Sequence, residues 1–170
     1  MRGVARWRTR TLPNVRLVFN WGNQIDTILT DSLGQYSLPR PLGATAVGVA
    51  VSFNGNGTEF QGINVVDVVS LRRHILALDT LSPLALLAAD VNNSGMETVS
   101  DIVRITQVIL GINPWIERPN WLVFPTLLPL TPLPRDAFGP FNITLNNPNA
   151  GVITLDFTVL KNGDVNFTAY

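Results

Sequence analysis

The sequence predicts an α+β fold: a small antiparallel β-sandwich, a helical pair inserted in it or following it, and C-terminal β strands. Three observations predict this. Short β-prone runs divided by turn residues fill residues 1–53. A helical apolar period replaces them from residue 64 to residue 112, and strand-like alternation returns after residue 140.

The β region contains Val-Arg-Leu-Val-Phe at 15–19 and a second run at 25–30. Asp31-Ser32-Leu33-Gly34 is a turn, with the glycine free to take positive φ, and residues 35–38 follow it. A Pro-Arg-Pro break precedes residues 44–53, which are rich in Val and Ala, and the Gly- and Asn-rich residues 54–63 end the region. Over residues 64–78, Val65, Val68, Leu71, Ile75 and Leu78 form one stripe. Ser82-Pro83 opens a short helix through Ala89, with Ser as the cap and Pro in the first turn. Residues 99–112 make a third helix with Ile102, Ile105, Ile109 and Ile112 as its stripe, ended by Gly111 and Pro114. Prolines punctuate residues 113–140, which read as an extended connector lying over a surface, because Trp115, Trp121, Phe124, Leu127 and Leu128 need cover. Residues 141–145 and 152–160 return to alternation, with 146–151 expected as a hairpin-type loop between them. The two β flanks are expected to share one sheet across the helical segment.

Composition excludes several functions. Twelve basic and twelve acidic residues among 170 cancel, which argues against a nucleic-acid binder. The absence of cysteine excludes disulfides and thiolate metal sites, and the single His74 excludes zinc held by several imidazoles. His74 itself follows two arginines and reads as a solvated surface residue. Charged residues are only 14% and the mean hydropathy is +0.23, yet no run approaches the roughly 18–20 apolar residues of a membrane helix. Such surplus apolar surface suits burial against neighbours. Residues 1–10 are basic but lack the apolar core of a secretory signal.

The helical centre repeats at a spacing of 34 residues: Val65-Val66-Asp67-Val68-Val69 aligns with Val99-Ser100-Asp101-Ile102-Val103, and Leu76 with Leu110. Such a repeat means two copies of one supersecondary unit. Ahead of the second copy, residues 90–101 fit a twelve-residue calcium loop. Asp90, Asn92 and Ser94 offer side-chain oxygens at places one, three and five. Gly95 stands at the sharp turn, Met96 offers its backbone carbonyl, Thr98 stands ninth, and Asp101 closes the loop. Calcium needs six to eight hard oxygens in a flexible cage, which these positions supply, and two carboxylates place the expected affinity at about 10⁻⁴ M. The equivalent first loop, residues 56–67, offers Asn56, Thr58, Asn64 and Asp67 but has Phe60 at its fifth place. It reads as metal-free or as occupied with altered geometry.

Residues 54–118 thus resemble a dockerin, with two calcium-loop-plus-helix units joined by a short linking helix. The string Ala-Ala-Asp-Val-Asn-Asn-Ser-Gly and the ending Val-Ile-Leu-Gly-Ile carry the likeness, as does the basic pair Arg72-Arg73. Residues 1–53 are similar to the carboxypeptidase regulatory-like β-sandwich through Thr30-Asp31-Ser32-Leu33-Gly34-Gln35-Tyr36. Residues 119–170, a Pro-rich connector with C-terminal strands, look like the tail that follows such modules in large secreted bacterial surface proteins. The resemblance implies Ca²⁺ as cofactor and an extracellular or cell-surface location. It implies a protein partner, a cohesin-like domain or copies of the chain itself, meeting Arg72, Arg73, Thr106 and Gln107.

No nucleophile elbow, phosphate loop or motif-placed acid pair is present, so the chain reads as a non-enzyme. The arginines at 2, 6, 8, 10 and 16 read as strand-face residues, and the four scattered tryptophans as anchors. Three functions stay open: a calcium-binding interaction module, a self-assembling subunit of a filament or surface layer (a homo-oligomer), and a carbohydrate-associated accessory module of a larger secreted protein.

Overall fold

A computed structural model of the chain describes residues 1–53, 62–112, 118–127, 140–145 and 152–168. In chain order the elements are β1 (Arg2–Trp7), β2 (Arg10–Thr11), β3 (Arg16–Asn20), β4 (Ile25–Leu29), β5 (Gln35–Ser37) and β6 (Ala46–Ser52). Then come α1 (Val65–Ile75), α2 (Pro83–Ala89), α3 (Val99–Ile109), β7 (Trp121–Pro125), β8 (Phe141–Thr144) and β9 (Phe157–Lys161). Among the described residues the fold is mixed, with two sheets and three helices in a sandwich-like α+β arrangement. Two compact units emerge. One contains Met1–Asn54, Leu122–Leu128 and Asp136–Val159; the other contains Gly55–Trp121, Pro129–Arg135 and Leu160–Tyr170.

The first unit is β-rich. One sheet has the order β2-β1-β9-β7, with β5 also on β1, and the other has the order β4-β3-β6-β8. Period-two alternation sends Leu17 and Phe19 of β3 and Val47 and Val49 of β6 inward. Tyr36 of β5 fills the space between the sheets, its ring 5.7 Å from Phe19 and 6.1 Å from Phe157. Gly34 (φ +70°) makes the turn into β5, where Asp31 Oδ1 accepts from the Leu33 and Gln35 N–H groups.

Strands from both ends of the chain share these sheets: β8 pairs β6 antiparallel, and β9 pairs β1 through Ala5↔Phe157 and Arg6↔Thr158. The β1–β9 pairing is parallel, which corrects the all-antiparallel expectation. A strand that returns only after more than a hundred intervening residues is freed from hairpin geometry. The expected hairpin around residues 146–151 is also corrected, because its flanks pair in different sheets; the loop itself lies outside the described residues. Within the expected connector, residues 121–125 form β7 with every residue buried, while 113–117 and 128–139 lie outside the described residues.

The second unit is built on α1 and α3. Their core contains Ile63, Leu71, Ala85, Ala89, Val91, Ile105, Val108 and Val165, with Val68, Ile75 and Ile102 packed against it. The expected stripes are too long. The helices end at Ile75 and Ile109, and Val65, Leu78 and Ile112 are 66%, 67% and 62% exposed. Each helix instead turns a carboxylate inward near its start, Asp67 and Asp101, both fully buried. Among the described residues no helix is long and apolar enough to cross a membrane.

Candidate calcium loop

The loop at 90–101 leads from the C-terminal end of α2 into α3, and its residues gather by local hydrogen bonding. The Ser94 N–H donates to both Asp90 Oδ1 (2.9 Å) and Asn92 Oδ1 (2.9 Å), which brings the oxygens of the first and third places together. The Ser94 hydroxyl donates to Asp90 Oδ1 at 3.4 Å and to the Met96 carbonyl at 2.9 Å. Gly95, at φ +82°, lets its N–H reach Asp90 Oδ2 at 3.0 Å, a conformation that side chains other than glycine rarely take.

Asp101 closes the loop from the first turn of α3. Its Oδ1 accepts from the Asn92 N–H (3.2 Å), and its Oδ2 accepts from the Thr98 N–H (2.8 Å) and the Thr98 hydroxyl (3.1 Å). Burial raises its pKa against the opposing pull of those bonds, and the Asp90 charge adds to the rise. All six expected ligand positions therefore lie in one turn: Asp90, Asn92, Ser94, the Met96 carbonyl, Thr98 and Asp101. The donor set is entirely oxygen, with two carboxylates, an amide, two hydroxyls and a backbone carbonyl, which fits a hard cation. Among the described residues no group of three or more His, Cys, Asp or Glu stands where it could hold a metal. This loop would rely on neutral oxygens for the remainder of its cage.

Two further residues bear on the loop without a motif to mark them, Glu97 within it and Arg118 beyond it. Glu97 has a buried Oε1 without a hydrogen-bond partner among the described residues. Burial raises its pKa, with smaller upward contributions from Asp90 and Asp101. Arg118, 3% exposed, donates through Nη1 to the carbonyls of Leu87 and Asp90, tying the end of α2 to the start of the loop. Only a Lys- or Arg-shaped donor in the right place could signal this from sequence, and Arg118 follows α2 by almost thirty residues.

At the first copy, Asn56 and Thr58 lie outside the described residues. Asn64 and Asp67 are brought together: Asp67 Oδ2 accepts from the Asn64 N–H at 2.8 Å, and Asn64 Oδ1 accepts from the Val66 N–H, capping α1. The other oxygen of Asp67 accepts from a distant backbone group, the N–H of Asn166, at 3.0 Å. Burial is the main cause raising the Asp67 pKa, opposed by these backbone bonds. The tail segment around Asn166 was not read as part of a site, although Asp-Val-Asn occurs twice in the chain, at 90–92 and 164–166.

The expected partner-binding residues divide. Arg72 and Arg73 are exposed, and Arg73 Nε pairs with Asp79 at 3.5 Å. Thr106 and Gln107 are half-buried: Thr106 donates to the Ile102 carbonyl, and Gln107 accepts from Arg104. His74 is half-buried, not solvated, because its Nδ1 accepts from the Leu81 N–H beyond the end of α1. In the first unit a cleft of ≈ 690 Å³ is lined by Arg2, Asp31, Tyr36 and Asp156 among others. Three of those groups already hold backbone: Asp31 the turn, Tyr36 the Leu155 carbonyl, Asp156 the Val4 N–H. Comparison with protein families, with curated proteins and with solved structures finds no match.

Proposed function

We propose that the chain is a non-catalytic, extracellular calcium-binding module whose helical unit is dockerin-like and serves protein–protein assembly. The observation that carries this reading is the convergence of the Asp90, Asn92 and Ser94 oxygens in one turn, closed by the buried Asp101. When bound, calcium would neutralise these carboxylates and fix the start of α3 against the core. Support for a docking role comes from apolar side chains that both copies leave outside. Val65, Val69 and Leu76 of the first copy are 66%, 49% and 55% exposed, and their counterparts Val99, Val103 and Leu110 are 63%, 50% and 65% exposed. The protein partner implied by the resemblance, a cohesin-like domain, would meet this face together with Arg72 and Arg73. Calorimetric titration with CaCl₂ tests the reading: binding that Asp90→Ala abolishes at this loop supports it, and a chain that takes up no calcium refutes it.

A second reading, self-assembly, is favoured by the edge strand β4. Its backbone faces β3 through alternate residues, as shown by the bonds at Gln24 and Thr30, so the N–H and C=O groups of Ile25, Thr27 and Leu29 point to the open side. Those three side chains are also exposed, Ile25 at 66% and Leu29 at 54%. The strand carries no Lys, Arg or Pro to blunt the edge. A second copy would fit it in antiparallel register about Thr27, placing Ile25 beside Leu29 of the partner subunit.

A further inference from the structure

The tail residues Asp164–Thr168 with residues 62–67, and the loop at 90–101, share four hydrogen bonds of the same kind. The Thr168 N–H donates to Asp164 Oδ1 at 2.8 Å, as the Ser94 N–H does to Asp90 Oδ1 at 2.9 Å. The Asn166 N–H donates to Asp67 Oδ1 at 3.0 Å, as the Asn92 N–H does to Asp101 Oδ1 at 3.2 Å. The Thr168 hydroxyl donates to the Gly62 carbonyl at 3.0 Å, as the Ser94 hydroxyl does to the Met96 carbonyl at 2.9 Å. The Asn64 N–H donates to Asp67 Oδ2 at 2.8 Å, as the Thr98 N–H does to Asp101 Oδ2 at 2.8 Å. Backbone follows suit: Phe167 and Asn93 both take positive φ, 61° and 57°, and Val165 and Val91 both enter the helical core. Gly62, Asn64 and Asp67 precede Met96, Thr98 and Asp101 by the 34-residue repeat, while Asp164, Asn166 and Thr168 follow Asp90, Asn92 and Ser94 by 74 residues.

We infer that the chain has a second calcium site assembled from two distant segments, with Asp164, Asn166 and Thr168 from the tail and the Gly62 carbonyl, Asn64 and Asp67 ahead of α1. The tail supplies places one, three and five, and the first repeat supplies seven, nine and twelve. Two observations point to a cation beyond this congruence. Asn166 Oδ1, the oxygen at the third place, is buried without a hydrogen-bond partner among the described residues. Asp67 is fully buried, and among the described residues it faces backbone N–H groups with no cationic side chain in an ion pair. A buried carboxylate without a cation is costly, and a metal ion would relieve it. The donor set matches that of the loop at 90–101 in kind: two carboxylates, an amide oxygen, a hydroxyl and a backbone carbonyl, with Asn64 in place of Thr98. Calcium tolerates the flexible geometry that joining two segments requires, whereas magnesium demands near-ideal octahedral ligation.

The inference rests on the calcium reading of residues 90–101, so its test counts sites. Calcium titration by calorimetry, with native mass spectrometry for stoichiometry, is run on the native chain, Asp164→Asn, Thr168→Val and Asp90→Asn. Circular dichroism verifies that each is folded. Two equivalents on the native chain, one on each variant, and none on the double variant Asp90→Asn/Asp164→Asn are expected. One equivalent on the native chain, removed by Asp90→Asn and untouched by Asp164→Asn and Thr168→Val, overturns the split site and leaves the loop at 90–101 standing. No binding by the native chain overturns both.

Discussion

At the scale of single residues, Tyr36 and Gly3 hold the β-rich unit at one point. The Tyr36 hydroxyl donates to the Leu155 carbonyl at 2.7 Å, and Gly3 faces Tyr36 across the β1–β5 pair. A Cβ at Gly3 would overlap the Leu155 carbonyl and come within 2.8 Å of the Tyr36 ring. Gly3→Ala is therefore expected to lower stability by roughly 3 kcal/mol, as overpacking against backbone does, read as a drop in denaturation midpoint. Tyr36→Phe leaves a buried carbonyl unpaired and is expected to cost about 1 to 3 kcal/mol. Burial, and then the Asp156 charge, pushes the Tyr36 pKa upward. Unfolded tyrosine ionises near pH 10, at about its ordinary value, whereas the folded chain keeps the proton. Above that pH the native state binds more protons than the unfolded state, so stability falls as pH rises through it. Denaturant titrations between neutral pH and alkaline pH should show the native chain losing more stability than Tyr36→Phe over that interval. Equal slopes would mean that the hydroxyl is not sequestered.

At the scale of elements, β4 offers the sharpest test, because its self-pairing register is fixed by its own alternation. Thr27 would lie opposite Thr27 of the partner subunit in a hydrogen-bonded pair, about 5.5 Å apart at Cα, within the range a disulfide spans. The chain has no cysteine, so Thr27→Cys should give a covalent dimer under mild oxidation while Ser32→Cys, also exposed, should not. Thr27→Pro removes only an outward N–H and should leave a folded monomer by sedimentation velocity. A native chain that sediments as a monomer, with Thr27→Cys no faster to cross-link than Ser32→Cys, would sink self-assembly through this edge. How legible each element is in the sequence follows from its chemistry. The helix starts are legible because Asn64 and Thr98 stand three residues before Asp67 and Asp101, the spacing of a capping box. The stripes mislead because Val65 and Val99 share the helical period yet stay outside, while the carboxylate takes the inward place. Strand β1 is obscure because its inward residues are Gly3, Ala5 and Trp7 set between arginines, and β7 because proline and unbroken burial hide any alternation.

At the scale of the whole chain, the pairings that join its ends follow no local signal. Nothing near Phe157 announces Ala5 as its neighbour, and only the repeated Asp-Val-Asn hints that Asn166 belongs beside Asp67. Those long-range pairings make a prediction about how calcium acts on the molecule. An ion bound only to the folded state stabilises it by RT ln(1 + [L]/Kd), about 2.7 kcal/mol at a concentration one hundred times Kd. With affinities of about 10⁻⁴ M, 1 mM calcium is about ten times Kd and should bring about 1.4 kcal/mol per site, roughly half of that gain. The gain belongs to the unit that contains the ligands, which includes Gly55–Trp121 and Leu160–Tyr170. Hydrogen exchange followed by mass spectrometry, with calcium and with chelator, should show added protection in α1, α3 and the tail residues 160–168. Strands β3, β4 and β6 contain none of the ligands and should exchange at unchanged rates. If protection rose in α3 but not in α1 and the tail, calcium would act through the loop at 90–101 alone. If it rose equally in β3, the two units would unfold as one cooperative body, and the stabilisation could not be confined to the helices.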